Sequence, residues 1–159
     1  MAKNTRITVK GVDDIKQGLK RLGYSAKQSR TQINKALRPA ATKLVKGMQQ
    51  AYRKEFNTHN KNRDGRRTPT WETIGIKTAK RSKNPALFVG PLKKRTTPII
   101  IKGKDSYNLA AMQIKGNAIQ APRKNIFEAT AKKMEQTIYV SAERDLDKML
   151  NKLIKKAGF

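Results

Sequence analysis

Acid–base and nucleophilic chemistry need titratable side chains gathered in one place, and this chain offers few candidates. It has 11 Asp plus Glu, one histidine and no cysteine. Glu128 and Glu135 lie two helical turns apart in a lysine-rich stretch, and Asp145 and Asp147 follow beside Arg144 and Lys148. Those positions read as a solvated helix face, its acids offset by nearby lysines at helical spacing. Asp13 and Asp14 fall in the first turn of an expected helix, where the dipole favours negative charge. His59 stands in a polar stretch with no second ligand type beside it. Without cysteine, neither a disulfide framework nor a thiolate metal site is available. Phosphate-loop and dinucleotide-binding glycine patterns are absent. The residues argue against an enzyme and point to no cofactor and no metal. A nuclease, which needs clustered carboxylates, is the least supported class.

Cations are plentiful instead. Lys plus Arg number 37, giving a formal charge of +26. Self-repulsion at that level opposes compaction unless counterions or a polyanion offset it. Nucleic acid is the usual such partner. The densest constellation joins Arg63, Arg66 and Arg67 to Lys77, Lys80, Arg81 and Lys83, then to Lys93, Lys94 and Arg95. No acid occurs between Glu72 and Asp105. Such clusters neutralise phosphates without reading bases. Aromatics that would stack bases are not interleaved, and neither zinc-finger spacing nor a recognition helix is present. This basic patch suits sequence-independent DNA contact and docking of an acidic protein about equally.

The elements that must position these residues can be read in order. Residues 5–10 alternate β-branched and polar side chains as a strand does, with Ile7 and Val9 inward. Val12 to Leu22 reads as a short helix on Ile15, Leu19 and Leu22, closed by Gly23. Ser25 and Gln28 match a capping box that opens a helix running towards Phe56. Pro39 implies a kink or a new helix start within it. Residues 57–70 contain no apolar side chain and read as a long polar loop. A single helical turn is expected at 70–74, then strands at 75–79 and 86–90 joined by the hairpin composition of residues 82–85. Residues 97–102 are a third strand candidate, with Pro98 at its start. Residues 108–114 suit a short helix or a strand.

A C-terminal helix over 125–156 completes the pattern. Phe127, Ala131, Met134, Ile138, Ala142, Leu146, Met149 and Leu153 recur at steps of three and four, which places one apolar stripe on a 3.6-residue period. The helix near residues 25–56 is its natural partner. Small residues, Ala41 and Ala51 against Ala131 and Ala142, favour close approach. The sum is an α+β domain over 1–159, with a small antiparallel sheet packed against two long helices and one short one. No apolar run approaches the roughly 20 residues that span a bilayer. The start of the chain lacks the apolar core of a signal peptide.

Several stretches resemble one known group. Residues 7–19 (Ile-Thr-Val-Lys-Gly-Val-Asp-Asp-Ile-Lys-Gln-Gly-Leu), the pairs Ala36-Leu37 and Ala40-Ala41, and Gly65-Arg66-Arg67-Thr68 followed by Trp71 and Ile74 are three. Leu87-Phe88-Val89-Gly90 and the entry from Ala121-Pro122 to Phe127-Glu128-Ala129 are two more. Together they resemble the tail-completion and head–tail joining (neck) proteins of long-tailed bacteriophages, the lambda-type minor tail protein Z group. Many relatives carry a Glu-Phe-Gly-Thr turn before the last helix, where this chain reads Ile114-Lys115-Gly116-Asn117. The resemblance implies a structural virion protein without enzyme activity, made in the host cytoplasm and located in the tail or neck. It further implies a homo-oligomeric ring, expected to be hexameric, touching tail-tube, tail-terminator or connector proteins around the DNA path. No membrane is involved. Leu146, Met149, Leu150, Leu153 and Ile154 form the broad apolar end of the last helix and are the expected oligomer contact. The alternative is a free, sequence-independent DNA-binding protein.

Overall fold

Ser25 opens the element on which the rest of the chain is built. In the computed structural model, its amide donates to Gln28 Oε1 at 2.9 Å, and the Gln28 amide donates to Ser25 Oγ at 3.3 Å. That reciprocal cap satisfies two amides that a helix start leaves without partners. The structure describes the backbone of residues 5–7, 11–55, 59–61, 67–80, 84–92, 99–101, 104–107 and 126–158, and the side chains of 11–55, 71–80, 84–92 and 126–158.

The elements are β1 (Thr5–Ile7), α1 (Val12–Arg21), α2 (Ala26–Glu55), β2 (His59–Lys61), β3 (Arg67–Pro69), a 3-10 turn (Thr70–Thr73), β4 (Ile74–Thr78), β5 (Leu87–Pro91), β6 (Ile99–Ile101), β7 (Lys104–Tyr107) and α3 (Ile126–Lys156). The fold is α+β. α1 ends where Gly23, at φ 81°, lets the chain reverse; the Gly23 and Tyr24 amides then donate to the Lys20 and Leu19 carbonyls, both at 2.9 Å. α2 runs unbroken through Pro39. The ring removes the amide that would bond the Lys35 carbonyl. Pro39 is exposed, so the carbonyl a turn earlier lies on the solvent side.

α2 is the central layer. The three-stranded antiparallel sheet, ordered β1-β5-β4, packs on one side of it. Val89 pairs with both Thr5 and Ile76, and Leu87 with both Ile7 and Thr78. The Ala79 amide bonds the Ala86 carbonyl at 3.0 Å, closing the β4–β5 hairpin. Leu87 and Val89 are buried while Phe88 is only half-covered and Lys77 is exposed, as the two-residue period of strands requires. Two side chains of α2 clamp the sheet. Arg30 Nη2 donates to the Ala79 carbonyl at 2.6 Å, and Gln49 Nε2 to the Ile74 carbonyl at 3.1 Å.

α3 packs on the other flank of α2 and runs antiparallel to it. The Tyr52 and Phe127 rings stack with centroids 6.5 Å apart, and Lys43 Nζ donates to Ser141 Oγ at 3.0 Å. Ile33, Leu37, Leu44, Met48 and Tyr52 share one core with Ile74, Leu87, Val89, Phe127, Ile138 and Leu146. Each large apolar side chain in it contributes about 1.5–3 kcal/mol. Ala41 and Ala142 are buried in this core and Ala131 is half-buried against it, while Ala51 is half-buried.

Three sequence expectations change. The polar stretch 57–70 is not wholly without structure, because β2 and β3 pair antiparallel within it. The strand at Ile99–Ile101 does not extend the sheet; it pairs with β7 in a separate two-stranded ribbon. Leu146 and Leu153 are only 3% and 8% exposed. They serve the chain's own core, because α2 already covers that side of α3, where an expected oligomer contact would stand open. Met149 and Leu150 are half-buried against the same core, and Ile154 alone of the five is exposed. The strand register of Val9, residue Phe56 and the 108–114 segment lie outside the described residues.

Candidate functional site

Lys77 is the fourth of the five residues of β4, on the sheet face turned away from α2 and opposite Phe88 on β5. Lys80 follows in the turn and is also exposed. Arg67 begins β3, where its backbone pairs with Lys61 of β2. Of the sequence-predicted patch, the structure therefore places Arg67, Lys77 and Lys80. Lys77 and Lys80 are brought to the open side of the β4–β5 hairpin. Arg63, Arg66, Arg81, Lys83, Lys93, Lys94 and Arg95 lie outside the described residues.

A second basic surface escaped the sequence reading. α2 carries Lys27, Arg30, Lys35, Arg38, Lys43, Lys46, Arg53 and Lys54 against one acid, Glu55 at its end. Arg30 and Lys43 turn inward to the bonds described above. Lys35, Arg38, Lys46 and Arg53 are exposed and recur at helical spacing with Thr42 and Gln50 between them. The Arg53 guanidinium carbon sits 5.7 Å from the Trp71 ring centroid, a cation–π contact that fixes the end of the row. The signal was present in the sequence as an acid-free run from Ala26 to Lys54. It was hidden because helices are recognised by their apolar period, which says nothing of the opposite face.

The carboxylates do not gather. Glu128, Glu135, Glu143 and Asp147 are exposed along α3. Asp145 departs from the expected solvated face, with its side chain only 13% exposed. Arg144 Nη2 reaches Asp145 Oδ1 at 3.3 Å, while the buried Oδ2 has no hydrogen-bond partner. Position 145 falls on the α2-facing side of the helix, close to the line of Ile138 and Ala142. Among the described residues, no group of three His, Asp or Glu side chains could hold a metal ion. An open hollow of about 240 Å³ lies between the α1–α2 turn and the end of α3, lined by Leu22, Tyr24, Gln28, Leu153 and Lys156. It contains no carboxylate and no histidine.

Tyr139 stands exposed on α3, one helical turn before Glu143. Its hydroxyl bonds the Glu143 carboxylate, and that hydrogen bond and the negative charge raise the phenol above 10.0. Among the described residues, the site is one of cations on a helix and a strand, able to neutralise anions. Among the described residues, no helix is long and apolar enough to cross a membrane. Compared with protein-family models, curated proteins and solved structures, the chain matches none.

Proposed function

We propose that this protein is a structural, non-catalytic virion component of a tailed bacteriophage. In this reading, copies form a homo-oligomeric ring, six being the expected number, at the tail top or head–tail junction. The ring completes the tail and joins it to tail-tube, tail-terminator or connector proteins, with the basic loop and sheet segments facing packaged DNA. The observation that carries the proposal is the pairing of a rigid scaffold with an acid-free cationic sheet edge. Two antiparallel helices of about 45 Å each, from their lengths of 30 and 31 residues, hold a hairpin whose exposed Lys77 and Lys80 lie in the stretch from Glu72 to Asp105 without an acid. Such a surface offsets phosphate charge without base readout.

The second reading is a free protein that coats duplex DNA without sequence preference, favoured by the net charge of +26. Substituting Arg66, Arg67, Lys93 and Lys94 together by Ser separates the two. The virion reading expects weaker duplex binding with ring assembly retained. Loss of assembly with unchanged DNA binding would contradict it.

A further inference from the structure

The outer face of α3 carries its own row. Tyr139, Glu143, Asp147 and Ile154, with the half-buried Leu150 between the last two, recur at steps of three and four along the helix and so share one side. Among the described residues, the exposed large hydrophobics are Tyr139 at 42%, Val140 at 53% and Ile154 at 39%, and all are on α3. Between Tyr139 and Ile154 the row holds two exposed acids and no cation. It is an apolar and acidic strip about 22 Å long. The basic row of α2, Lys35 to Arg53, is about 27 Å long and has the opposite charge. Apart from Leu150, both rows are exposed, so neither covers the other within one chain.

We propose that these two rows are the two halves of one contact between successive copies of this chain, the α3 row of one docking on the α2 row of the next. The inference rests on the ring reading and names its interface. Two different surfaces meeting in this way make a heterologous contact, the kind that generates a ring when the rotation closes. Charge fits the pairing, since Glu143 and Asp147 meet cations that have no carboxylate partner among the described residues. Apolar cover fits as well, because lysine and arginine stems lie along apolar surface while their heads reach anions. Tyr139 adds a ring face for a guanidinium. Copies that each carry +26 repel at long range. At physiological salt the screening length is about 8 Å, which weakens that repulsion more than contacts at touching distance.

The test is a charge swap read by sedimentation velocity at ~0.15 M salt, with far-UV circular dichroism confirming unchanged helix content. All substituted positions are exposed, so folding is expected to survive. Glu143→Lys with Asp147→Lys, and separately Arg38→Glu with Lys46→Glu, should each weaken association by roughly a hundredfold or more, since like charges then face each other. Combining the four substitutions in one chain should restore assembly. Assembly that persists in either half-swapped variant overturns the interface and leaves the ring reading standing. Loss in both halves without recovery in the combined chain also overturns the pairing. A wild-type chain that stays monomeric at every concentration overturns the ring reading itself.

Discussion

Met134 fills the space that a side chain at position 47 would need. A β-carbon built on Gly47 overlaps the Met134 sulfur, and comes within 3.0 Å of its Cε and 3.7 Å of Thr130 Cγ2. The middle of α2 approaches α3 closely because residue 47 has no side chain, and methionine, flexible and unbranched, takes up the gap. Gly47 therefore lets Met134 lie across the middle of α2, in a helix that would otherwise favour alanine.

Gly47→Ala gains about 1 kcal/mol of helix propensity and forces the end of Met134 aside. The two effects oppose each other, and urea unfolding should show a net change within about 1 kcal/mol. Gly47→Leu leaves no such escape and should destabilise by about 1–3 kcal/mol. Adding Met134→Ala to Gly47→Leu should recover part of that loss, which separates overpacking from a general defect in α2.

Leu146 and Ile154 lie on the same helix and should behave differently. Leu146→Ala removes a side chain that is 3% exposed and should cost about 2–5 kcal/mol in chemical denaturation. Ile154→Ala, on the outer face, should stay within about 0.5 kcal/mol. Equal and small effects would place Leu146 outside the core.

Tyr139 reports on the outer face of α3. Its phenol is raised by the bond to Glu143 and by that residue's charge. Glu143→Gln should lower the midpoint of the ultraviolet phenol titration. The neutral phenol is the form favoured by the fold. Its contribution to stability is therefore complete below the ordinary tyrosine value of 10.0 and lost as pH rises through the raised one.

Screening should stabilise this chain. A net charge of +26 opposes compaction, and the ion pairs found among the described residues, Lys16 with Asp13 at 2.9 Å and Arg144 with Asp145 at 3.3 Å, are few. The thermal midpoint should rise between low salt and about 0.5 M, because repulsion is relieved more than attraction is lost. A midpoint that falls with salt would mean that local attraction outweighs the net charge.

The two long helices were legible because caps and apolar period agree. Ser25 and Gln28 mark one start, and Phe127 to Leu153 trace one face. The β4–β5 hairpin was legible from residues 86–90 and the polar turn before them. The β2–β3 ribbon was not, since three-residue strands in a polar stretch pair through backbone alone and leave no alternating pattern. Asp145 was misplaced for a related reason. Its flanking Arg144 and Lys148 suggest solvent, while its position relative to Ile138 and Ala142 decides otherwise. The basic row of α2 needed the partners of α2 to be known, because only then is it clear which side stays open.

Native mass spectrometry of the full-length chain at physiological ionic strength tests the central claim most directly. The account predicts one closed oligomer of a single stoichiometry, with six copies expected. A monomer that binds duplex DNA tightly, and loses that affinity steeply as salt rises, would contradict it.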